Sequence, residues 1–555
     1  MLKSLLLFAV LGFTKAGPIT INVDTQDGAT ISGTKTFSVT VQSDSTVREV
    51  EFYVNNDLKS SGTSTPYTFD LDTIGMPDGP LSVSFIAYTT EGGKEKKTLN
   101  LTIDNGMAKG AAFHVAAAND FLTRSKWADA IREARIALTV DKNDNGARLA
   151  MARAFFGQGV LDKAQKFAGD VLDSQPSNKA ALSIMSAINL KQAFETFDTN
   201  KGNSADTLNL IKDALKGAVD SRAKVLSDEM DSFGAVTPAN VKDYAALTCR
   251  AGRFSLAIGA LQPLVQADPS QLDLSERLAY AQMRYGRYQD ALDTLAKTTR
   301  TTPLDAYGLA LQAELYAQTG QDDQYEDAMK SALLSDNEDL GVRTARAYVA
   351  LLQNKTGVLA QDLSDLARDQ GQRTEVNYLL SALSFRVQRY DDARNYFENA
   401  VLAEPLNDDM YVEYANQDIS VAQYGKLDSD GTKHQYASAG VLFDTALEAR
   451  PDSPEALTGK ALLLMITGDN AGGLKFAEAA TQADPSYAAG WYAYSAALSA
   501  NNMSDRAQKA MNTAGKLDQA HLDGLEVPKA VTVWVYYETF GRPPIITPPG
   551  TSVSE

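Results

Sequence analysis

Two hydrophobic periods divide the chain. Between residues 17 and 105 apolar and polar positions alternate. Phe37, Val39 and Val41 share one face, as do Val50, Phe52 and Val54, then Leu81, Val83, Phe85 and Ala87, then Leu99, Leu101 and Ile103. A period of two belongs to strands with one buried face, and Asp27-Gly28, Asp78-Gly79 and Gly92-Gly93 supply tight turns between them. About seven strands in so short a stretch predict an antiparallel two-sheet sandwich. From about Met107 the apolar spacing changes to that of helices and keeps it to about Gly524.

The helical part repeats itself. An alanine or glycine of the kind that lets two helices cross closely falls at Ala130, Ala164, Ala257, Ala291, Ala328, Ala360, Ala393, Ala439, Gly473 and Ala507. Several of these lie 34 residues apart, and 291 to 328, 328 to 360 and 360 to 393 read as 37, 32 and 33. Gly159, Gly252, Gly286 and Gly468 sit at the turn within a pair, where a helix end wants a positive φ. Pro176, Pro269, Pro303, Pro405, Pro451 and Pro485 fall twelve after a marker and stop the second helix. One such pair cannot bury its own apolar face, so copies must stack. About eleven hairpins are expected. Two places break the rhythm: residues 178–235 suggest an enlarged, irregular pair, and Gly425–Gln435, polar throughout, reads as an inserted loop.

With those residues in hand, the helical part resembles tetratricopeptide repeats. The strand part resembles the bacterial Ig-like domains of exported proteins, through Val50–Asn56, Pro66–Thr73, the Asp78-Gly79 turn and the closing Leu101–Asn105. The expected fold is thus multidomain: an all-β Ig-like sandwich at 17–105, then an all-α superhelix, or α-solenoid, at 107–524. Residues 525–555 follow as a terminal strand and proline-rich tail. The tetratricopeptide resemblance implies that first helices of successive units line a concave face that holds a protein or peptide.

Composition narrows the partners. Of 555 residues, 44% are apolar and 22% charged, as in folded proteins, and the net charge is −18. That balance disfavours nucleic acid, which calls for a basic face. The single cysteine, Cys249, has no internal partner. At the start, Lys3, the apolar run Leu5–Phe13 and Thr14-Lys15-Ala16 read as a signal peptide of residues 1–16, and no run is long enough to span a bilayer. The expectation is export to a bacterial periplasm, cell surface or medium.

Candidate chemistry is sparse. His114, His434 and His521 are scattered and are expected at the surface or between repeats. Asp141–Gly146 fits half a calcium loop, but position twelve is Ala152. No catalytic, cofactor-binding or metal residues are assigned, and the expected protein is not an enzyme. Some relatives clamp a peptide carboxylate with Lys and Asn on the first helix; the matching positions here, among them Glu276 and Tyr280, carry no such pair. They are instead aromatic. Tyr280, Tyr378 and Tyr492, with Trp491 and Tyr494 beside them, are the candidate partner-binding residues, the alternative being that they pack between helices. Val531, Val533, Trp534 and Val535, in a strand-like run, are candidates for self-association into a homo-oligomer or surface assembly.

Overall fold

The computed structural model describes residues 18–199, 205–352, 357, 363–368, 371 and 373–517. Residues 1–16, the Ala360 marker, His521 and the run from Val531 to Val535 lie outside the described residues.

The alternating stretch forms eight strands: β1 (Thr20–Val23), β2 (Thr30–Ile31), β3 (Thr34–Gln42), β4 (Val47–Val54), β5 (Asp57–Gly62), β6 (Tyr67–Asp72), β7 (Gly79–Thr89) and β8 (Lys94–Ile103). They make two sheets, ordered β1-β3-β6 and β2-β8-β7-β4-β5. Register places Phe37 opposite Phe69 in the first sheet and Phe52 opposite Phe85 in the second. These four rings meet between the sheets, with Phe52 stacked on Phe85 at 5.2 Å and on Phe69 at 5.4 Å. Phe37, Phe52 and Phe85 are fully buried. Without a disulfide, this aromatic packing supplies the cohesion between the sheets. The β4–β5 turn is made by Asn55 and Asn56, both left-handed (φ 47° and 71°), a conformation that asparagine tolerates.

The strands do not end in a slack linker. Asn105, nearly buried, donates to the Thr73 carbonyl and accepts from the Gly33 amide at 2.9 Å. Asp78 accepts from the amides of both Asn105 (2.7 Å) and Met107 (2.8 Å). His114 is buried, not at the surface: Nδ1 lies 2.7 Å from Glu133 Oε2 and Nε2 lies 2.9 Å from the Gly106 carbonyl. Arg135 pairs with Asp72 at 2.6 Å, and Thr139 donates to the Ile74 carbonyl. The chain accordingly divides into compact units after Pro176, so that the sandwich and the first four helices form one unit.

Within the helical part the rhythm is more regular than the alanines suggest. First helices begin at Ala111, Asn145 and Lys179, then at Leu272, Ala306, Leu340, Thr374 and Asp408, each 34 residues after the last within its run. Second helices Phe254–Ala267, Tyr288–Thr299 and Asp322–Ser335 keep the same step. Ala328 is therefore not the equivalent of Ala291. That place belongs to Tyr325, half-buried, and Ala328 is a buried alanine about one turn further on. The intervals of 37 and 32 reflected a substituted marker, not altered loops. Gly320, at φ 67°, confirms the turn position in that unit.

The irregular stretch is a pair of long helices, Lys179–Thr199 and Ala205–Asp231. Residues 425–435 do not form a protruding loop. The helix Asp408–Tyr424 runs on to 17 residues, and its partner starts at Ser429 and spans 21 residues to Ala449. Asp428 caps the second helix by accepting from the Gly431 amide at 2.7 Å, and Asp430 and Lys433 lie on its exposed side. Polar composition had marked a solvated helix face.

The second unit winds far enough to meet itself. Phe194 lies 5.7 Å from Phe397, and Leu190, Ile211 and Leu215 share one apolar cluster with Phe397, Ala439 and Leu442. Ion pairs accompany that contact: Lys212 with Asp444 (3.1 Å), Lys216 with Glu448 (2.9 Å) and Arg222 with Glu404 (2.9 Å).

Candidate partner-binding face

Because first helices repeat at 34 residues and pack on one another, their matching positions form rows. The second residue of the helix makes one row: Asp273, Tyr307, Gly341, Glu375, Asp409 and, after the lengthened pair, Glu455. Carboxylates dominate it.

The centre of this face is a buried charge cluster. Arg284, at the end of its helix, donates to Asp409, 125 residues away. Arg450 lies 3.6 Å from Asp408, too far for a hydrogen bond. The side chains of Arg284, Asp409, Arg450 and Asp408 are 10%, 2%, 5% and 4% exposed, so both pairs are shut from solvent. The Phe254 ring lies 5.3 Å from one guanidinium and 5.4 Å from the other, inside cation–π range. Asp409 Oδ1 and Asp408 Oδ2 accept no hydrogen bond.

Burial sets the electrostatics. It pushes the Asp409 carboxyl up, against the pull of Arg284; the hydrogen bond to a guanidinium argues that this pair is ionised. Burial likewise raises Glu455, against Arg450, and Glu375. Asp484 is raised for the same reason. Burial alone would lower Arg284 and Arg450, but Asp409 and Asp408 respectively lead the charges that raise them. Further along the face, burial together with Asp305 pushes Glu276 up to about 9, so this side chain is a neutral hydrogen-bond donor near neutral pH.

The aromatic candidates are placed as follows. Tyr280 is 4% exposed and sits in the field of Arg284 and Asp409. Tyr378, 1% exposed, donates to Glu413 at 3.4 Å. Trp491, Tyr492 and Tyr494 belong to the helix Ala488–Ala500. Trp491 is half-buried and donates to the Pro485 carbonyl; Tyr494 accepts from Arg506 at 2.6 Å. Tyr280 is thus the one of the five that joins the charge cluster. The cluster itself was missed. Acids in the first turn of a helix are expected for its dipole alone, so Glu375, Asp409 and Glu455 carried no separate signal.

Other candidate chemistry resolves into structure. Asp144 of the calcium-like stretch caps the helix Asn145–Gly157, accepting from Ala147 at 2.8 Å. Burial pushes the Cys249 thiol up to about 12, leaving it unreactive. A cavity of about 320 Å³ between the helices Phe254–Ala267 and Tyr288–Thr299 carries Asp290, Asp293 and Lys297 and no aromatic ring.

Comparison with known families agrees with this architecture. A family described as a bacterial Ig domain matches residues 14–99, and two tetratricopeptide repeat families match residues 250–315 and 428–488. The chain therefore carries a bacterial Ig domain followed by a tetratricopeptide-repeat solenoid, a protein-interaction architecture. No curated protein matches the sequence. Among solved structures, the chain is similar to yeast Tom70 (16% identity, 79% of this chain and 97% of that one, TM-score 0.33). It is also similar to a tetratricopeptide repeat protein from Parabacteroides merdae (12%, 50% and 98%, 0.30). The fibronectin(III)-like modules of Clostridium thermocellum CbhA are a third likeness (24%, 15% and 94%, 0.14). No helix among the described residues is long and apolar enough to cross a membrane.

Proposed function

We propose that this is a non-enzymatic, exported bacterial scaffold that holds another protein through the inner face of its tetratricopeptide array. The observation that carries the reading is the 34-residue step of the first helices, which sets matching side chains of successive hairpins in rows along one face. Export is supported by the leader-like segment at 1–16 and by the bacterial Ig domain match. The sandwich serves as a spacer or second contact. Affinity resides in a few side chains: of the five aromatic candidates Trp491 is half-buried and open to a partner, while Tyr280, Tyr378, Tyr492 and Tyr494 are buried and shape the face from behind.

The test is site-specific photo-crosslinking in cells with the full-length protein. A photoreactive residue replaces Trp491 on the first-helix side or Leu334, 80% exposed on a second helix. A discrete crosslinked protein from position 491 and none from 334 is the expected result. Equal labelling at both positions, or none at 491, removes the scaffold reading.

A further inference from the structure

His114 stands in the joint that follows β8, and only 2% of it is exposed. Both of its nitrogens face a group that accepts. Nε2 lies 2.9 Å from the Gly106 carbonyl, which also accepts from the Lys109 amide at 3.0 Å; a carbonyl cannot donate. Nδ1 lies 2.7 Å from Glu133 Oε2. Arg132 donates to the other oxygen of Glu133 through Nε at 3.3 Å and Nη2 at 3.1 Å, which marks that side chain as a carboxylate that only accepts. A neutral imidazole carries a single N–H, and two bonds to two acceptors need two. The ring in this geometry is therefore the imidazolium.

The two bonds hold different things. His114 belongs to the helix Ala111–Thr123 and Glu133 to Trp127–Val140, so their contact is internal to the first hairpin. Gly106 belongs to the connection, and Asp78 of the sandwich holds the amides on either side of it, Asn105 and Met107. The Nε2 bond thus fastens the hairpin to the strand side. With one proton gone, a lone pair on Nδ1 would face the carboxylate at 2.7 Å, so the remaining proton stays on Nδ1 and Nε2 gives its own up. Nε2 and the Gly106 carbonyl are then two acceptors facing each other. From this we propose that His114 is a proton-operated latch: its imidazolium fastens the sandwich to the first hairpin, and deprotonation opens the Gly106 contact while leaving the hairpin intact. Bonds that only the protonated ring can make are present at low pH and lost as pH rises.

Other charged groups around the ring are already engaged. On the second helix Arg132 also pairs with Asp129, and Arg135 with Asp72 of β6. In the connection Asp104 accepts from the Gly106 amide, and the Lys109 ammonium lies over the Phe113 ring. On the helix Asn145–Gly157, Arg148 bonds to the turn before it and Arg153 is exposed. The remaining ties across the joint are the Arg135–Asp72 pair, 39% and 44% exposed and so weak in water, and the Thr139 bond to the Ile74 carbonyl. They limit how far the joint opens. The latch acts at this joint, not on the inner face of the array, and does not depend on the scaffold reading.

The experiment uses the full-length chain in a Cys249→Ala background, with nitroxide labels at Ser61→Cys on β5 and Lys126→Cys on the hairpin, both exposed positions. Pulsed electron paramagnetic resonance reads the spread of the distance between them at about pH 5.5 and about pH 9, either side of the range in which histidine ordinarily changes charge. The spread is expected to widen about twofold at the higher pH. His114→Gln, which carries no charge at either pH, should show one width at both. Glu133→Gln should stay narrow at both, because its amide can donate to Nδ1 and the neutral ring then keeps its Nε2 proton on Gly106. Ring-nitrogen NMR of unlabelled wild-type protein carrying [15N]histidine, with the His114 signals assigned by their loss in His114→Gln or by their shift in Glu133→Gln should the first variant not fold, gives the order of events. Both nitrogens of His114 are protonated at the lower pH, and Nε2 alone loses its proton as the spread grows. The proposal is overturned by an unchanged spread in the parent, by widening in His114→Gln or Glu133→Gln equal to that of the parent, or by Nδ1 losing its proton first.

Discussion

The two buried centres of this protein are opposites. In the sandwich, Phe37, Phe52, Phe69 and Phe85 fill the space between two sheets, and no charged side chain is buried among them. In the helical array, Arg284, Arg450, Asp408 and Asp409 occupy a place just as closed to water. The first is what packing alone produces: burial is favourable everywhere and leaves nothing unmatched. The second carries a desolvation cost that Coulomb attraction offsets only in part.

That contrast can be broken experimentally. The largest loss is expected from Phe52→Ala, about 3–5 kcal/mol for truncating a fully buried ring, read as a lowered denaturation midpoint of the sandwich by Phe-sensitive near-ultraviolet circular dichroism. Arg284→Met alone should cost about 3 kcal/mol by stranding Asp409, while Arg284→Met/Asp409→Leu should return to within about 1 kcal/mol of the parent. If the double variant is as unstable as the single one, the cluster is a stabilising core after all, and the contrast with the phenylalanines collapses.

Glu276 offers a pH test. Its folded-state value, about 9, lies above the ordinary 4.5, so the folded protein keeps a proton that the unfolded chain has lost. Stability must therefore fall as pH rises from about 4.5 to about 9. Glu276→Gln removes that slope, and at pH 9 it should be the more stable protein by on the order of 2 kcal/mol, measured by urea titration at both ends of the range. The smallest effects concern turn glycines. Gly286→Ala meets both a left-handed φ of 81° and Asp484, whose Oδ2 lies where the new methyl group must go; Gly159→Ala has the φ of 74° but open space. About 2 and about 1 kcal/mol are expected, the difference reporting the Asp484 contact alone.

How much of this was legible in the sequence depends on the kind of signal. The strands and hairpins were, because Val50, Phe52 and Val54 or Ala257 and Ala291 repeat at the period of the structure they form. The register slipped at Tyr325, where a large residue stands at the crossing and Ala328 offered a false match. Gly425–Gln435 misled because a polar run is equally a loop or the wet side of a helix, and only the Asp428 cap distinguishes them. The charge cluster was illegible for a deeper reason. Arg284 and Asp409 meet only through superhelical winding over 125 residues, and no local period records that.

The joint after β8 has a mechanical consequence. Asn105, Asp78, His114 and the Arg135–Asp72 pair tie the last strand, the first sheet and the first helical hairpin together across the short connection that follows β8. A pull applied to the sandwich is delivered directly to the hairpin, with no tether to extend first. Torque passes the same way, so the sandwich acts as a handle on the first hairpin.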